Sequence, residues 1–202
     1  IFYEFIPMEV YGTSEERVIP LSKVEKDKNY AIIITTNAGL WRYKIGDTIR
    51  FTSIDPYRIK VTGRTKHHIN VFGEELIIEN AEAALKCTTK LTQCEIVDYT
   101  AAPIFMVGKE KGAHEWLIEF KKPPSDFAHF SELLDKALQD VNSDYEAKRF
   151  NNTTLNAPKI HLARERLFYD WLKEKDKLGG QHKVPRLSNT RDYIEELLSL
   201  NK

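Results

Sequence analysis

The sequence predicts an α+β protein, with a small mostly-β subdomain over residues 1–65 and a compact α/β domain over residues 66–202. Three observations predict it. Up to Thr65 the apolar residues fall in short β-branched and aromatic runs punctuated by Pro, Gly, Asn and Asp. Past Lys66 these runs alternate with stretches whose apolar residues recur at i, i+3 and i+4. The composition, 42% hydrophobic and 30% charged, is that of a chain able to fold around a core.

The first part reads as strand after strand. Residues 1–6 alternate until Pro7, and residues 18–21 precede a charged turn at 25–29. Residues 30–36 are β-branched and end at the turn signal Asn37-Ala38-Gly39. Strands at 42–46, 48–53 and 57–62 follow, divided by Gly46-Asp47 and Asp55-Pro56, a spacing that suggests a small barrel or twisted sheet. The opening residue is not methionine and already lies in mid-alternation, so the chain is read as the carboxyl-terminal part of a longer protein.

Beyond the expected boundary at Thr65-Lys66, residues 69–72 and 76–78 predict short strands around Gly73, and 79–86 a helix. Residues 93–99 and 115–120 predict strands, the second with His114, Trp116, Ile118 and Phe120 on one face. Pro123-Pro124-Ser125-Asp126 stops that strand and sets up a cap. A helix over 127–145 follows, its stripe made by Phe130, Leu133, Leu134, Ala137, Leu138, Val141 and Tyr145. Residues 159–163 predict a strand, 167–175 a helix, and Gly179-Gly180 a loop. A last helix over 191–200 has Ile194, Leu197 and Leu198 inward, with Asn189 and Asp192 spaced as a capping box. This order predicts helices on one face of a small sheet.

The charge balance removes several functions. Thirty Lys and Arg against thirty Asp and Glu leave no basic field for a nucleic-acid backbone. No apolar run approaches the roughly 20 residues of a membrane helix. Two cysteines, Cys87 and Cys94, make no disulfide framework, which favours a reduced, cytoplasmic setting. The histidines show no metal-ligand spacing, and no Cys-x-x-Cys, Gly-x-Ser-x-Gly or Gly-x-Gly-x-x-Gly occurs.

The richest stretch is residues 40–82, LWRYKIGDTIRFTSIDPYRIKVTGRTKHHINVFGEELIIENAE. Its succession of Tyr43-Lys44-Ile45-Gly46-Asp47, Gly63-Arg64, Ile69-Asn70-Val71-Phe72-Gly73 and Glu74-Glu75 resembles the nucleotide-ribose and hinge segments of the adenylate-forming superfamily. That superfamily includes acyl-CoA synthetases, luciferases and peptide-synthetase adenylation domains. Phe2-Tyr3-Glu4-Phe5-Ile6-Pro7, Ala38-Gly39-Leu40-Trp41-Arg42-Tyr43 and Gln181-His182-Lys183-Val184-Pro185-Arg186 are most similar to the auxin-responsive acyl-acid amido synthetases of the Gretchen Hagen type and their bacterial relatives. Together the pieces cover nearly the whole chain in the family's order.

Each candidate has a plain reading beside the one the resemblance implies. Asp47 taken alone marks a Gly-Asp turn between strands; the resemblance makes it a ribose ligand, since a carboxylate can accept from two vicinal hydroxyls. Arg64 is an ordinary strand-end arginine or, by the family position, a nucleotide contact, as is Tyr43. Lys66 is an exposed loop lysine that falls on the superfamily's hinge. Lys183 would be one solvated lysine among many, yet it falls where the superfamily has a lysine that stabilises charge during adenylation. His182 stands where the family has tyrosine, and Glu74-Glu75 replace a more basic, serine-rich stretch. Glu4 and Arg186 are secondary candidates, Glu4 being equally well explained by strand alternation.

The resemblance implies a ligase that uses ATP and magnesium to adenylate a small carboxylic acid, then passes the acyl group to an amine such as an amino acid. Residues 1–65 would be the β-rich end of the large adenylating domain and 66–202 its mobile carboxyl-terminal domain. The phosphate loop, the acyl pocket and the magnesium ligands would lie upstream, so residues 1–202 alone are expected to be inactive. Thioester formation with coenzyme A is one alternative. The other is a non-catalytic module that binds a small molecule or a partner, with Trp116, Trp171 and the helix over 127–145 as interface. No nucleic-acid or membrane partner is expected.

Overall fold

Alternation in the opening stretch sends Phe5 and Ile6 to opposite faces of β1 (Phe2–Pro7), and both are buried. The structure is a computed structural model that describes residues 1–65, 68–108, 110–150, 154–178 and 183–202. Its packing divides the chain into two compact units, Ile1–His68 and Ile69–Lys202, a few residues beyond Thr65-Lys66.

The first unit is one five-stranded antiparallel sheet. With β1 it comprises β2 (Ile19–Pro20), β3 (Asn29–Thr35), β4 (Tyr43–Ile54) and β5 (Tyr57–Arg64), in the order β2-β1-β3-β4-β5. On one face Phe5, Tyr30 and Phe51 meet edge to face, with centroids 5.3–6.1 Å apart, over Val24 and Ile49. On the other, Ile6, Met8, Ala31 and Ile33 pack together. One expectation changes here. Gly46-Asp47 is not a turn between two strands but lies inside the continuous β4. The pairing with β3 shifts register between Ala31 and Ile33, and Gly46 adopts φ +86°. The pair is a bulge, made by a backbone conformation that glycine accepts without steric cost.

The second unit begins with the short strands β6 (His68–Ile69) and β7 (Leu76–Ile77), which form a two-stranded sheet. Then come α1 (Ile78–Thr92), β8 (Glu95–Ile104), β9 (Ala113–Lys122), α2 (Phe127–Val141), α3 (Ser143–Arg149), β10 (Lys159–Ala163), α4 (Leu167–Glu174) and α5 (Asp192–Leu200). Its main sheet has the order β10-β9-β8, with β8 antiparallel and β10 parallel to the central β9. Trp116, Ile118 and Phe120 face a core shared with Leu85 of α1 and Phe130, Leu134 and Leu138 of α2, as their alternation predicts.

Three details depart from expectation. Helices cover both faces of the sheet, not one: Leu117 packs with Phe168 and Trp171 of α4 and Leu197 of α5. Seven consecutive residues of β9 are therefore buried, including the carboxylates of Glu115 and Glu119. Second, the helix expected over 127–145 breaks at Asn142, whose Oδ1 accepts from Tyr145 N at 2.8 Å and starts α3. Asn142 Nδ2 also donates to Glu74 O at 2.9 Å, so the break is tied to the loop between β6 and β7. Third, no capping box forms at α5, because Asn189 Oδ1 is engaged by Asn70 N at 2.8 Å and Asp192 accepts from Thr190 Oγ1.

Candidate functional site

In the first unit the bulge of β4 decides where the polar side chains go. It brings Asp47 opposite Arg64 in the β4–β5 ladder, and Arg64 Nε approaches Asp47 Oδ1 at 3.2 Å. Gly46 O accepts from Thr65 N at 2.9 Å, so the chain leaving β5 is fastened to the bulge. The Asp47 and Arg64 side chains are 31% and 64% exposed. Such an exposed pair contributes no more than about 1 kcal/mol, so a ligand bearing hydroxyls and phosphate could compete for both partners at small cost. Tyr43 opens the same strand, half exposed. Glu4 is differently placed: Arg42 Nε and Nη2 fork onto its two oxygens at 3.0 and 3.2 Å. That fork ties β1 to the start of β4.

In the second unit Lys183 is exposed and stands at the edge of a firmly held segment. Val184, next in sequence, is 2% exposed in the core beneath α4 and α5. Pro185 O accepts from Thr100 Oγ1 at 2.6 Å. Arg186 O accepts from Ala101 N and Ser188 N donates to Ala101 O, extending the β8 edge in parallel. Leu187 enters the core on the other face of the sheet. Arg186 Nη1 lies 3.2 Å from Glu82 Oε1, Nη2 lies 3.3 Å from Asp98 Oδ1, and its guanidinium carbon is 4.6 Å from the Tyr99 ring centroid. The following turn is pinned by Arg191, which donates to Pro103 O and Glu115 Oε2 at 2.8 and 2.6 Å. Burial pushes the Glu115 carboxyl up, but hydrogen bonds from Arg191, His161 and Lys159 outweigh it and hold it at about 2.

Lys66, His67 and residues 179–182, including His182, lie outside the described residues. The structure thus brings Asp47 to Arg64, and sets Lys183 and Arg186 on one segment. The anchors of that segment, Glu82, Asp98, Tyr99 and Thr100, were not singled out in the sequence. They sit on α1 and β8, more than 80 residues upstream of Lys183, and no local pattern links elements so far apart. Glu74 does not open toward a ligand: its Oε1 is 2.8 Å from His114 Nε2, both side chains being fully buried. Trp116 and Trp171 are 0% and 2% exposed and Phe130, Leu134 and Leu138 are sealed, so these residues are core and not interface. Among the described residues no group of three or more His, Cys, Asp or Glu could hold a metal ion. No helix among them is long and apolar enough to cross a membrane.

Comparison with known proteins covers both units. Residues 1–64 match the GH3 family central domain and residues 79–192 the GH3 family C-terminal domain. The indole-3-acetic acid-amido synthetase GH3.3 of Arabidopsis thaliana is 22% identical over 209 residues, covering 97% of this chain and 35% of the relative. The indole-3-acetic acid-amido synthetase GH3.4 of the same plant is 39% identical over 200 residues, covering 92% and 33%. Among solved structures, a GH3.15 acyl acid amido synthetase superposes with a TM-score of 0.67 at 18% identity, over 98% of this chain and 34% of the other. The chain thus spans about a third of the length of the relatives it matches.

Proposed function

The chain belongs to the GH3 family, and we propose that it is the carboxyl-terminal part of an ATP-dependent ligase that joins a small carboxylic acid to an amine. The observation that carries this reading is the succession of the family's central and C-terminal domains along residues 1–64 and 79–192, together with similarity to two relatives named as indole-3-acetic acid-amido synthetases. In the first half-reaction a carboxylate oxygen attacks the α-phosphorus of ATP and pyrophosphate leaves. In the second an amine nitrogen, that of an amino acid in this proposal, attacks the acyl carbon. AMP leaves with the electron pair of the broken C–O bond, and the amine loses a proton. Activation is required because a carboxylate is a poor electrophile, whereas AMP is a good leaving group.

Within this chain Asp47 accepts from the ribose hydroxyls, with Arg64 and Tyr43 beside it as nucleotide contacts. Lys183 stabilises the charge that builds on the carboxylate and α-phosphate. Residue 66 is the hinge about which the second unit turns between the half-reactions. Magnesium would neutralise phosphate charge, held by the nucleotide's phosphates and by residues of the remainder of the protein. A cytoplasmic setting suits both ATP and the two free cysteines, Cys87 and Cys94.

The test is Lys183→Ala in the complete polypeptide that carries this sequence. Acid-dependent ATP–pyrophosphate exchange should fall at least about 100-fold, a size typical for removing one oriented charge from a transition state, while ATP binding persists. Exchange at the parent rate would sink the assignment of Lys183.

A further inference from the structure

Resting on that reading of Lys183, we infer that Arg186 is a positioning residue: its guanidinium, clamped between α1 and the edge of β8, fixes where the lysine segment leaves the sheet. Four contacts converge on it and its backbone. The guanidinium meets Glu82 of α1 at 3.2 Å and Asp98 of β8 at 3.3 Å. It lies over the Tyr99 ring, whose hydroxyl reaches the same Glu82 at 3.4 Å. Its carbonyl is bound by Ala101 N, one residue after Thr100 has captured Pro185 O.

The arrangement argues against a direct contact with nucleotide. An arginine kept for a phosphate presents its fork to the ligand, whereas here two carboxylates and an aromatic face already occupy it. Burial keeps the Tyr99 phenol well above its ordinary value, so it remains a neutral donor to Glu82 and does not add a third negative charge. Arg186, Glu82 and Tyr99 also line an open groove of about 700 Å³ between α1 and β8, with Leu85, Ile96 and Val97. Without Arg186 the carboxylates of Glu82 and Asp98 would both lose this counter-charge. Val184 and Leu187 hold the segment by inserting into opposite cores, but apolar insertion alone tolerates sliding and rotation. Backbone pairing of Arg186 and Ser188 with Ala101 sets its register, and the directional contacts of the Arg186 guanidinium and of Thr100 hold the end of the segment nearer Lys183. Lys183 lies three residues from the clamp, so an ångström of slack there reaches the ammonium, and a displacement of that size can cost about 100-fold in rate.

The experiment compares Arg186→Met and the pair Glu82→Gln/Asp98→Asn in the complete polypeptide, each with Lys183 and with Lys183→Ala. ATP–pyrophosphate exchange is read as kcat and as KM for ATP, with residual exchange followed over hours and thermal unfolding recorded beside it. We expect both variants to lose about 10- to 100-fold in kcat with KM for ATP within about twofold, Arg186→Lys to recover part of the loss, and neither variant to lose more in the Lys183→Ala background. A rise in KM at retained kcat, or losses that multiply with Lys183→Ala, would make Arg186 a ligand contact and overturn the inference. So would parent kinetics in a folded Glu82→Gln/Asp98→Asn variant, which stands as the test if Arg186→Met does not fold. Parent exchange in Lys183→Ala alone would instead refute the catalytic reading beneath it.

Discussion

Single residues in this chain are used in ways their type does not announce. Glu115, Glu119 and Glu74 are all buried, and each is committed: to Arg191, His161 and Lys159; to the amides of Arg166 and Phe168 that open α4; and to His114. A buried carboxylate persists only when so compensated. Glu115 carries a measurable consequence. Its folded-state value of about 2 lies below the ordinary 4.5, so its contribution is complete above about pH 4.5 and is lost as pH falls toward 2. Glu115→Gln should therefore flatten the stability profile between those pH values, as read by denaturant titration at several pH values. A profile as steep as the parent's would mean that other carboxylates dominate. None of this was legible from alternation, which gives the facing of a side chain but not whether that face is wet.

At the scale of elements, the β4 bulge and the segment 183–188 matter most, and they differ in how far the sequence disclosed them. Gly46-Asp47 was visible as a break, and only pairing with β3 and β5 on both sides turns that break into a bulge. A Cβ at Gly46 would meet nothing closer than Thr65 Oγ1 at 4.0 Å, so the barrier to substitution is the φ of +86° and not space. Gly46→Ala should cost about 1–2 kcal/mol and disturb the pairing of Asp47 with Arg64, raising KM for ATP more than it lowers kcat. Unchanged KM would separate the bulge from nucleotide binding. The segment 183–188 was readable as a motif, but its holding points belong to α1 and β8. The early end of α2 has the same origin: the apolar stripe runs on to Tyr145, which is indeed buried, while Asn142 interrupts the helix to bond with Glu74 O. Local periodicity records which residues are buried and is silent on tertiary hydrogen bonds that end an element.

The whole chain shows what composition can and cannot say. Its equal numbers of acidic and basic residues leave no basic field for a nucleic-acid backbone; its change from strand runs to helical spacing falls at Thr65-Lys66, and the packing divides the chain between His68 and Ile69. The order of strands and helices does not say which face of the sheet each helix covers, and α4 and α5 close over the second face of β9. The candidate residues are shared between units: Tyr43, Asp47 and Arg64 in the first, Lys183 and Arg186 in the second. A reaction in two half-steps that needs one set and then repositions the other is consistent with that division. The most direct measurement is acid-dependent ATP–pyrophosphate exchange by the complete polypeptide against a panel of aryl and alkyl acids, followed by amino acids or coenzyme A with the acids that respond. The account predicts exchange with at least one acid and an amide as the product when an amino acid is added. Thioester with coenzyme A and no amide, or no exchange with any acid while ATP is bound, would contradict it.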